Sequence, residues 1–298
     1  MDFEVLNFGS LNCDHVYRVD HFVRPGETMQ SLSYISNAGG KGLNQSVALA
    51  RAGVRVAHAG KIGPDGEALV DVLKNVGADV SRILRGTVPT GHAIIQVEEK
   101  SGQNSILLYP GANMAFTEEE INALLGENGS GRWLMLQNEI NFIPQIMRSA
   151  KEKGYKIAFN PAPCGPEVRD YPIDLCDLLL VNEIEGAELV GLTPGSDPDV
   201  IISRLAECCP QTEVVLTYGA QGAWYAYRSE RMFSAPPQVA VVDTTSAGDT
   251  FGGYFLAARL RGYEPCRALE TASRAAGITI SRHGAAISIP IAAEVFQE

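Results

Sequence analysis

No run in the sequence approaches 18 uncharged apolar residues, so no transmembrane helix is expected. The opening, Met-Asp-Phe-Glu-Val, has neither a basic n-region nor a long apolar h-region. No secretory signal is read there, and a cytoplasmic location is expected. Basic residues are few: 24 Lys and Arg stand against 35 Asp and Glu, a formal net charge of −11. That balance argues against nonspecific binding to nucleic acid or to an acidic membrane, which both reward a cationic surface. It leaves an anionic ligand open, because a local field can oppose the global one. The six cysteines (Cys13, Cys164, Cys176, Cys208, Cys209 and Cys266) contain no C-x-x-C pair. In a chain of 298 residues they are expected to be reduced thiols and not a disulfide scaffold. The five histidines lack metal-ligand spacing. There is no internal repeat, low-complexity tract or Pro/Ser-rich linker, which favours one continuous domain over residues 1–298.

Several catalytic signatures are also missing. No G-x-G-x-x-G follows the first strand, which argues against a dinucleotide site. H-R-D, D-F-G, H-E-x-x-H and G-x-S-x-G are all absent, which excludes protein kinases, zincins and α/β-hydrolases.

What is present is an alternation of short apolar runs with helical periodicity. Val5–Phe8, Val54–Ala59, Trp133–Gln137, Lys156–Asn160, Leu178–Val181 and Glu213–Thr217 read as strands. Lys41–Ala52, Gly66–Val76, Ile143–Lys153, Glu183–Val190 and Pro198–Glu207 read as helices. The alternation predicts an α/β fold with a doubly wound, mostly parallel central sheet and helices on both faces. Ligands of such folds bind where the strand-to-helix loops collect. Two stretches break the pattern. His15–Phe22 with Met29–Ser36, and Gly91–Val97 with Ser105–Tyr109, read as strand pairs with no helix between them. They predict either a small β-sheet lid, inserted at about residues 11–37 and 88–109, or plain hairpins on the sheet edge.

Two constellations carry chemistry. In Asn37-Ala38-Gly39-Gly40-Lys41-Gly42-Leu43-Asn44-Gln45, glycines surround a lysine where a helix begins. Close backbone approach and unpaired helix N–H groups suit an anion there. Gly42 follows the lysine where a Walker A motif needs Ser or Thr. A loop that only turns the chain is the alternative. In Asp243-Thr244-Thr245-Ser246-Ala247-Gly248-Asp249-Thr250-Phe251, small residues strip a second helix start of bulk. Asp249 sits in its first turn, beside a phosphate-sized hole, suited to take a proton from a hydroxyl. Stabilisation of the helix dipole alone is the alternative. Asn182-Glu183-Ile184-Glu185 and Thr217-Tyr218-Gly219-Ala220-Gln221-Gly222 also follow strands and carry weaker signals.

Together, Gly39-Gly40-Lys41-Gly42-x-Asn44-Gln45 and Asp243-Thr-Thr-x-Ala-Gly-Asp249-Thr-Phe resemble the two signatures of the ribokinase-like (PfkB) carbohydrate kinases. Gly9-Ser10-Leu11-Asn12-Cys13-Asp14, Pro25-Gly26-Glu27-Thr28, Gly111-Ala112-Asn113 and Asn160-Pro161-Ala162-Pro163 fall in family order, and the ribokinase branch fits best. The resemblance implies ATP-dependent phosphoryl transfer to a sugar hydroxyl, in that branch the 5-hydroxyl of ribose. It implies Asn12, Asp14, Gly40, Lys41, Asn44 and Glu139 as sugar ligands. It further implies Asp249 as general base and the amides of Ala247, Gly248 and Asp249 as anion hole. It places ATP against Asn182, Thr217, Gly219, Gly222, Ser246, Ala247, Gly248 and Ser273, and Mg²⁺ near Glu185 through water. It assigns K⁺ to Asp243, Thr245, Thr279, Arg282, Gly284 and Ser288. Ser246 stands where the family has Gly or Ala, and Ser273 where the ribokinase branch offers His toward adenine. Alternatives are another kinase of the fold (fructokinase, 2-keto-3-deoxygluconate kinase, nucleoside or pseudouridine kinase) or a non-catalytic sensor. A homodimer through the lid is expected.

Overall fold

The structure, a computed structural model, describes residues 2–296. In chain order, the first half runs β1 (Val5–Phe8), β2 (Asn12–Val19), β3 (Ser33–Gly39), α1 (Lys41–Arg51), β4 (Val56–Ile62), α2 (Glu67–Asn75), β5 (Asp79–Arg85), β6 (Gly91–Glu98) and β7 (Asn104–Tyr109). The second half runs α3 (Glu118–Leu125), β8 (Trp133–Gln137), α4 (Ile143–Glu152), β9 (Lys156–Asn160), β10 (Leu178–Asn182), α5 (Glu183–Leu189) and α6 (Pro198–Cys208). It continues with β11 (Glu213–Thr217), β12 (Ala223–Tyr227), β13 (Glu230–Ser234), α7 (Ala247–Leu260), α8 (Pro265–Ile280) and the short α9 (Ala292–Val295).

The central sheet has nine strands in the order β13-β12-β11-β10-β9-β8-β1-β4-β5. Its pairs are parallel except β11–β12 and β12–β13, which form an antiparallel edge. Strand order runs outward from β1 in both directions. The carboxyl ends of β1 and β8 therefore flank the point where the order reverses, the place where open α/β sheets bind ligands. Successive residues of each central strand feed opposite cores. Val5, Val56, Met135 and Val215 pack with α1, α2, α7 and α8. Leu6, Ala57, Leu134 and Val214 pack with α3, α4, α5 and α6. Burial on both faces is why these strands read as unbroken apolar runs.

The two irregular stretches form a second sheet, in the order β3-β2-β6-β7, separate from the first. Each pair read from the sequence is antiparallel, and the two join through parallel β2 and β6. The edge-hairpin alternative does not describe them. β2 begins at Asn12 and not at His15, because Asn12–Asp14 pair with both Gly39–Asn37 and Gly91–Ala93. Sugar-ligand candidates thus lie on the second sheet where it meets the first.

Close backbone contacts fix α1 in place. A Cβ on Gly42 would lie 2.4 Å from the Ser10 nitrogen and 2.5 Å from the Gly9 carbonyl carbon. A Cβ on Gly253 of α7 would lie 2.5 Å from the Ala48 Cβ. The start of α1 therefore abuts the turn after β1, and α1 crosses α7 in close contact at Ala48 and Gly253. Among the described residues, no helix is long and apolar enough to cross a membrane.

Candidate active site

Gly40 precedes α1 with φ +92°, a conformation that favours glycine, and no side chain of its own caps the helix. Glu139, two residues beyond β8, caps it instead. Its Oε2 accepts hydrogen bonds from the Lys41 backbone N–H at 2.9 Å and from the Ser10 hydroxyl. Ser10 Oγ in turn accepts from the Gly42 N–H at 3.2 Å. Burial pushes the Glu139 carboxyl above its ordinary range, opposed by Lys41 and the Ser10 hydroxyl.

Asp14 of β2 faces the same region. Burial, aided by the charge of Glu139, raises its pKa to about 6. A Cβ on Gly39 would lie 2.0 Å from Asp14 Oδ2, so only glycine there leaves the carboxylate its place. Asn12 Oδ1 accepts from Asn113 Nδ2 at 2.8 Å, which turns its free amide group away from that contact. Asn12 and Glu139 border a groove of about 570 Å³.

On the other side, a cavity of about 230 Å³ opens between the ends of β10 and β11 and the start of α7. Lys41, Asn182, Glu185, Thr217, Ser246 and Asp249 are on its wall, with Ala247 and Gly248 between the last two. Asp249 is buried; its Oδ2 accepts from Asn44 Nδ2 and its Oδ1 from Gln45 Nε2, both at 3.0 Å. Burial alone would lower the Lys41 ammonium, but the charges of Asp249, Glu139 and Glu185 hold it above its ordinary value. The lysine thus stays charged under the influence of three carboxylates. Burial raises Glu185, opposed by the Asn182 N–H it accepts from at 3.0 Å. Asn182 caps α5 in a reciprocal capping box with Glu185.

Not every expected residue reaches this cavity. Gly219 opens a short turn after β11, and Gly222 packs against the Ser234 carbonyl; neither is on the wall. Ser273 of α8 is buried against Ser234, their hydroxyl oxygens 3.5 Å apart. The remaining group clusters below the α7 start. Asp243 Oδ1 accepts from the Thr245 N–H at 2.9 Å, and Asp243 Oδ2 from the Gly284 N–H at 3.1 Å. The side chains of Thr279, Arg282 and Ser288 are committed to Thr250, Glu294 and the Ala285 carbonyl respectively.

A family model for pfkB family carbohydrate kinases matches residues 2–292. The chain belongs to the pfkB family of carbohydrate kinases. A ribokinase of Haemophilus influenzae is 33% identical over 297 residues, covering 97% of this chain and 96% of that one. A ribokinase of Schizosaccharomyces pombe is 34% identical, covering 98% and 96%. Among solved structures, the ribokinase of Arabidopsis thaliana complexed with ribose and ATP superposes with a TM-score of 0.87 at 26% identity, covering 99% and 98%. The ribokinase of Cryptococcus neoformans var. grubii in complex with ADP gives 0.85 at 30%, covering 99% of each chain.

This pfkB-family site uses residues that motif reading passed over as ligands. Ser10, Gln45 and Asn160 stood inside quoted motifs, but their roles depend on partners remote in sequence. Ser246 holds the N-cap position of α7 in the left-handed conformation, φ +58°, without a side-chain cap hydrogen bond, and its buried hydroxyl oxygen has no partner among the described residues. Both features cost stability in a residue other than glycine. Ser246→Gly is expected to stabilise the protein by about 1 kcal/mol, strain relief outweighing glycine's entropy. Urea denaturation checks this; unchanged or lower stability would contradict it.

Proposed function

We infer that the chain is an ATP-dependent ribose kinase that transfers the γ-phosphoryl group to the 5-hydroxyl of ribose. The observation that carries the reading is the position of Asp249. Its buried carboxylate lies on the wall of the cavity that Lys41 and the α7 start also line, held there by Asn44 and Gln45 of α1. The sugar is held beside it by Asn12, Asp14, Gly40, Lys41, Asn44 and Glu139. The triphosphate enters that cavity, with Asn182, Thr217, Gly219, Gly222, Ser246 and Ser273 toward the nucleotide. Asp249 takes the hydroxyl proton as the sugar oxygen bonds to the γ-phosphorus. The bond from that phosphorus to the bridging oxygen breaks, and ADP leaves. The amides of Ala247, Gly248 and Asp249, with Lys41, face the charge that develops on the phosphoryl oxygens.

Two cations belong to the proposal. Glu185 is a buried carboxylate on the cavity wall and suits a hydrated Mg²⁺ held through water; when bound, that ion neutralises phosphate charge. Asp243, Thr245, Thr279, Arg282, Gly284 and Ser288 are proposed for K⁺. With three of those side chains committed elsewhere, main-chain oxygens are what they offer, a donor set that suits a hard cation. Residues 1–298 form one domain in this reading. The second sheet, from segments of about 11–37 and 88–109, acts as a lid that keeps water from the phosphoryl group. β7 is exposed along its whole length, and Tyr34, Ile35, Ile106 and Leu107 are exposed apolar side chains on this sheet. That surface supports a homodimer formed through the lids. A cytoplasmic location completes the proposal, and the six free thiols fit it.

An ADP-release assay across a panel of sugars and nucleosides tests the reading, with ribose expected to give the highest kcat/KM. The groove beside Asn12 is also lined by Met114, Ile140, Phe142 and Tyr171, which favours a bulkier acceptor such as a nucleoside as the second reading.

The pH dependence is set by Asp14. A carboxylate grips sugar hydroxyls best when ionised, and its raised pKa means that it protonates as pH falls through about 6. The kcat/KM for ribose is therefore expected to fall on the acid side with a midpoint near that value. The limb should be missing from Asp14→Asn, whose kcat/KM is low throughout. A limb that persists in the variant would assign it to another group.

A further inference from the structure

Asp249 does not hold its orientation alone. A carboxylate only accepts hydrogen bonds, so the amides facing it must present their N–H₂ groups. For Gln45 that sense is enforced from behind. One Nε2 proton goes to Asp249 Oδ1 at 3.0 Å and the other to Asn160 Oδ1 at 3.2 Å. Its Oε1 accepts from Gln137 Nε2 at 2.6 Å. Gln137 Nε2 also donates to Asn7 Oδ1 at 2.8 Å, and Asn7 Nδ2 donates to the Gly42 carbonyl at 2.7 Å and to Ser46 Oγ at 2.8 Å. The chain ends at His58, whose Nδ1 lies 2.8 Å from Ser46 Oγ. Gln45, Gln137, Asn7, Ser46 and His58 are all at most 1% exposed. Turning the Gln45 amide over would set oxygen against the Asp249 carboxylate and N–H against the Gln137 donor. Both contacts would then be repulsive between side chains buried from solvent, so the chain admits one orientation.

We propose that Gln45, oriented by Gln137, is a positioning residue that aims the Asp249 carboxylate at the acceptor hydroxyl. The proposal rests on Asp249 being the general base. Gln45 fixes Oδ1 while Asn44 fixes Oδ2, so the carboxyl plane is set before sugar arrives. Rate depends steeply on such placement, and a misplacement of about 1 Å costs on the order of 10²-fold. Gln137 neither lines the 230 Å³ cavity nor bonds Asp249, so its direct route to the carboxylate is the Gln45 amide.

The test compares Gln45→Leu, Gln45→Met, Gln137→Leu and Asp249→Asn by steady-state kinetics with ribose and ATP, alongside calorimetric ribose binding and thermal melting. Both Gln45 variants are expected to lose about tenfold or more in kcat, with ribose KM and Kd within twofold of the parent. Gln137→Leu should show the same split, with a smaller loss in kcat. Gln45 variants with kcat within twofold of the parent, beside an inactive Asp249→Asn, would overturn the inference and leave the base in place. Proportional changes in kcat, KM and melting temperature would also overturn it, since they mean that Gln45 only holds the fold. An Asp249→Asn variant that turns over near the parental rate would remove the base and this inference with it. Should one Gln45 variant fail to fold, the other and Gln137→Leu carry the same comparison.

Discussion

Asp249→Asn is expected to lower kcat by about 10²–10⁴-fold while ribose affinity stays within a few-fold of the parent. The substitution keeps the volume of the side chain, so the cavity wall survives. It removes the proton acceptor and also disturbs the contacts that hold it. Asn44 and Gln45 both present N–H₂ groups to the carboxylate, and an amide at position 249 can satisfy only one of them with its oxygen. Gln45 is unable to turn over in response, because Gln137 donates to its oxygen. The loss should therefore exceed that of a missing base alone. Steady-state kinetics paired with calorimetry separates the two quantities. A variant with near-parental kcat would remove Asp249 from the reaction.

Lys41→Ala is expected to lower kcat/KM by roughly 10²–10³-fold, the scale of losing one group that faces developing transition-state charge. The ammonium sits among Asp249, Glu139 and Glu185, and its loss leaves three carboxylates facing each other where a triphosphate must approach. Sugar binding should suffer too, because the ammonium offsets the charges of Glu139 and Asp249 beside the sugar, while the backbone N–H at position 41 still bonds Glu139. Asp14→Ala gives the contrast. It lies on the second sheet, near Glu139 but off the wall of the 230 Å³ cavity, and should raise ribose KM by roughly 10–150-fold, the worth of a charge-assisted hydrogen bond, with ATP KM little changed. Substrate-saturation curves for both variants test this. Unchanged ribose KM in both would mean that the sugar binds elsewhere.

Much of this arrangement was legible in the sequence, for a physical reason. Strands buried on both faces must be apolar throughout, so β1, β8, β9 and β11 match their apolar runs residue for residue. Helix ends marked by glycine read equally well: Gly53, with φ +87°, closes the turn after α1. The second sheet was harder. Its strands are mostly half-buried or exposed, burial imposes no strict period on them, and β2 and β3 begin away from their expected starts. Val239–Val242 has the composition of a strand, yet the residues are exposed and lie outside regular structure. The two glycine-rich motifs indicated the helix starts at Lys41 and Ala247. They gave no sign that Gln45 and Asp249, 204 residues apart, would share a hydrogen bond. That contact depends on α1 and α7 crossing at Ala48 and Gly253, a tertiary fact with no local signal. The capping of α1 by Glu139, 98 residues from Lys41, was hidden for the same reason.

The most direct test is a crystal structure of the protein with ribose and a non-hydrolysable ATP analogue. The account predicts the ribose 5-hydroxyl within about 3.2 Å of an Asp249 carboxylate oxygen, in line with a terminal phosphate seated on the amides of residues 247–249. A sugar whose 5-hydroxyl points away from Asp249, or a terminal phosphate bound outside the α7 start, would contradict it.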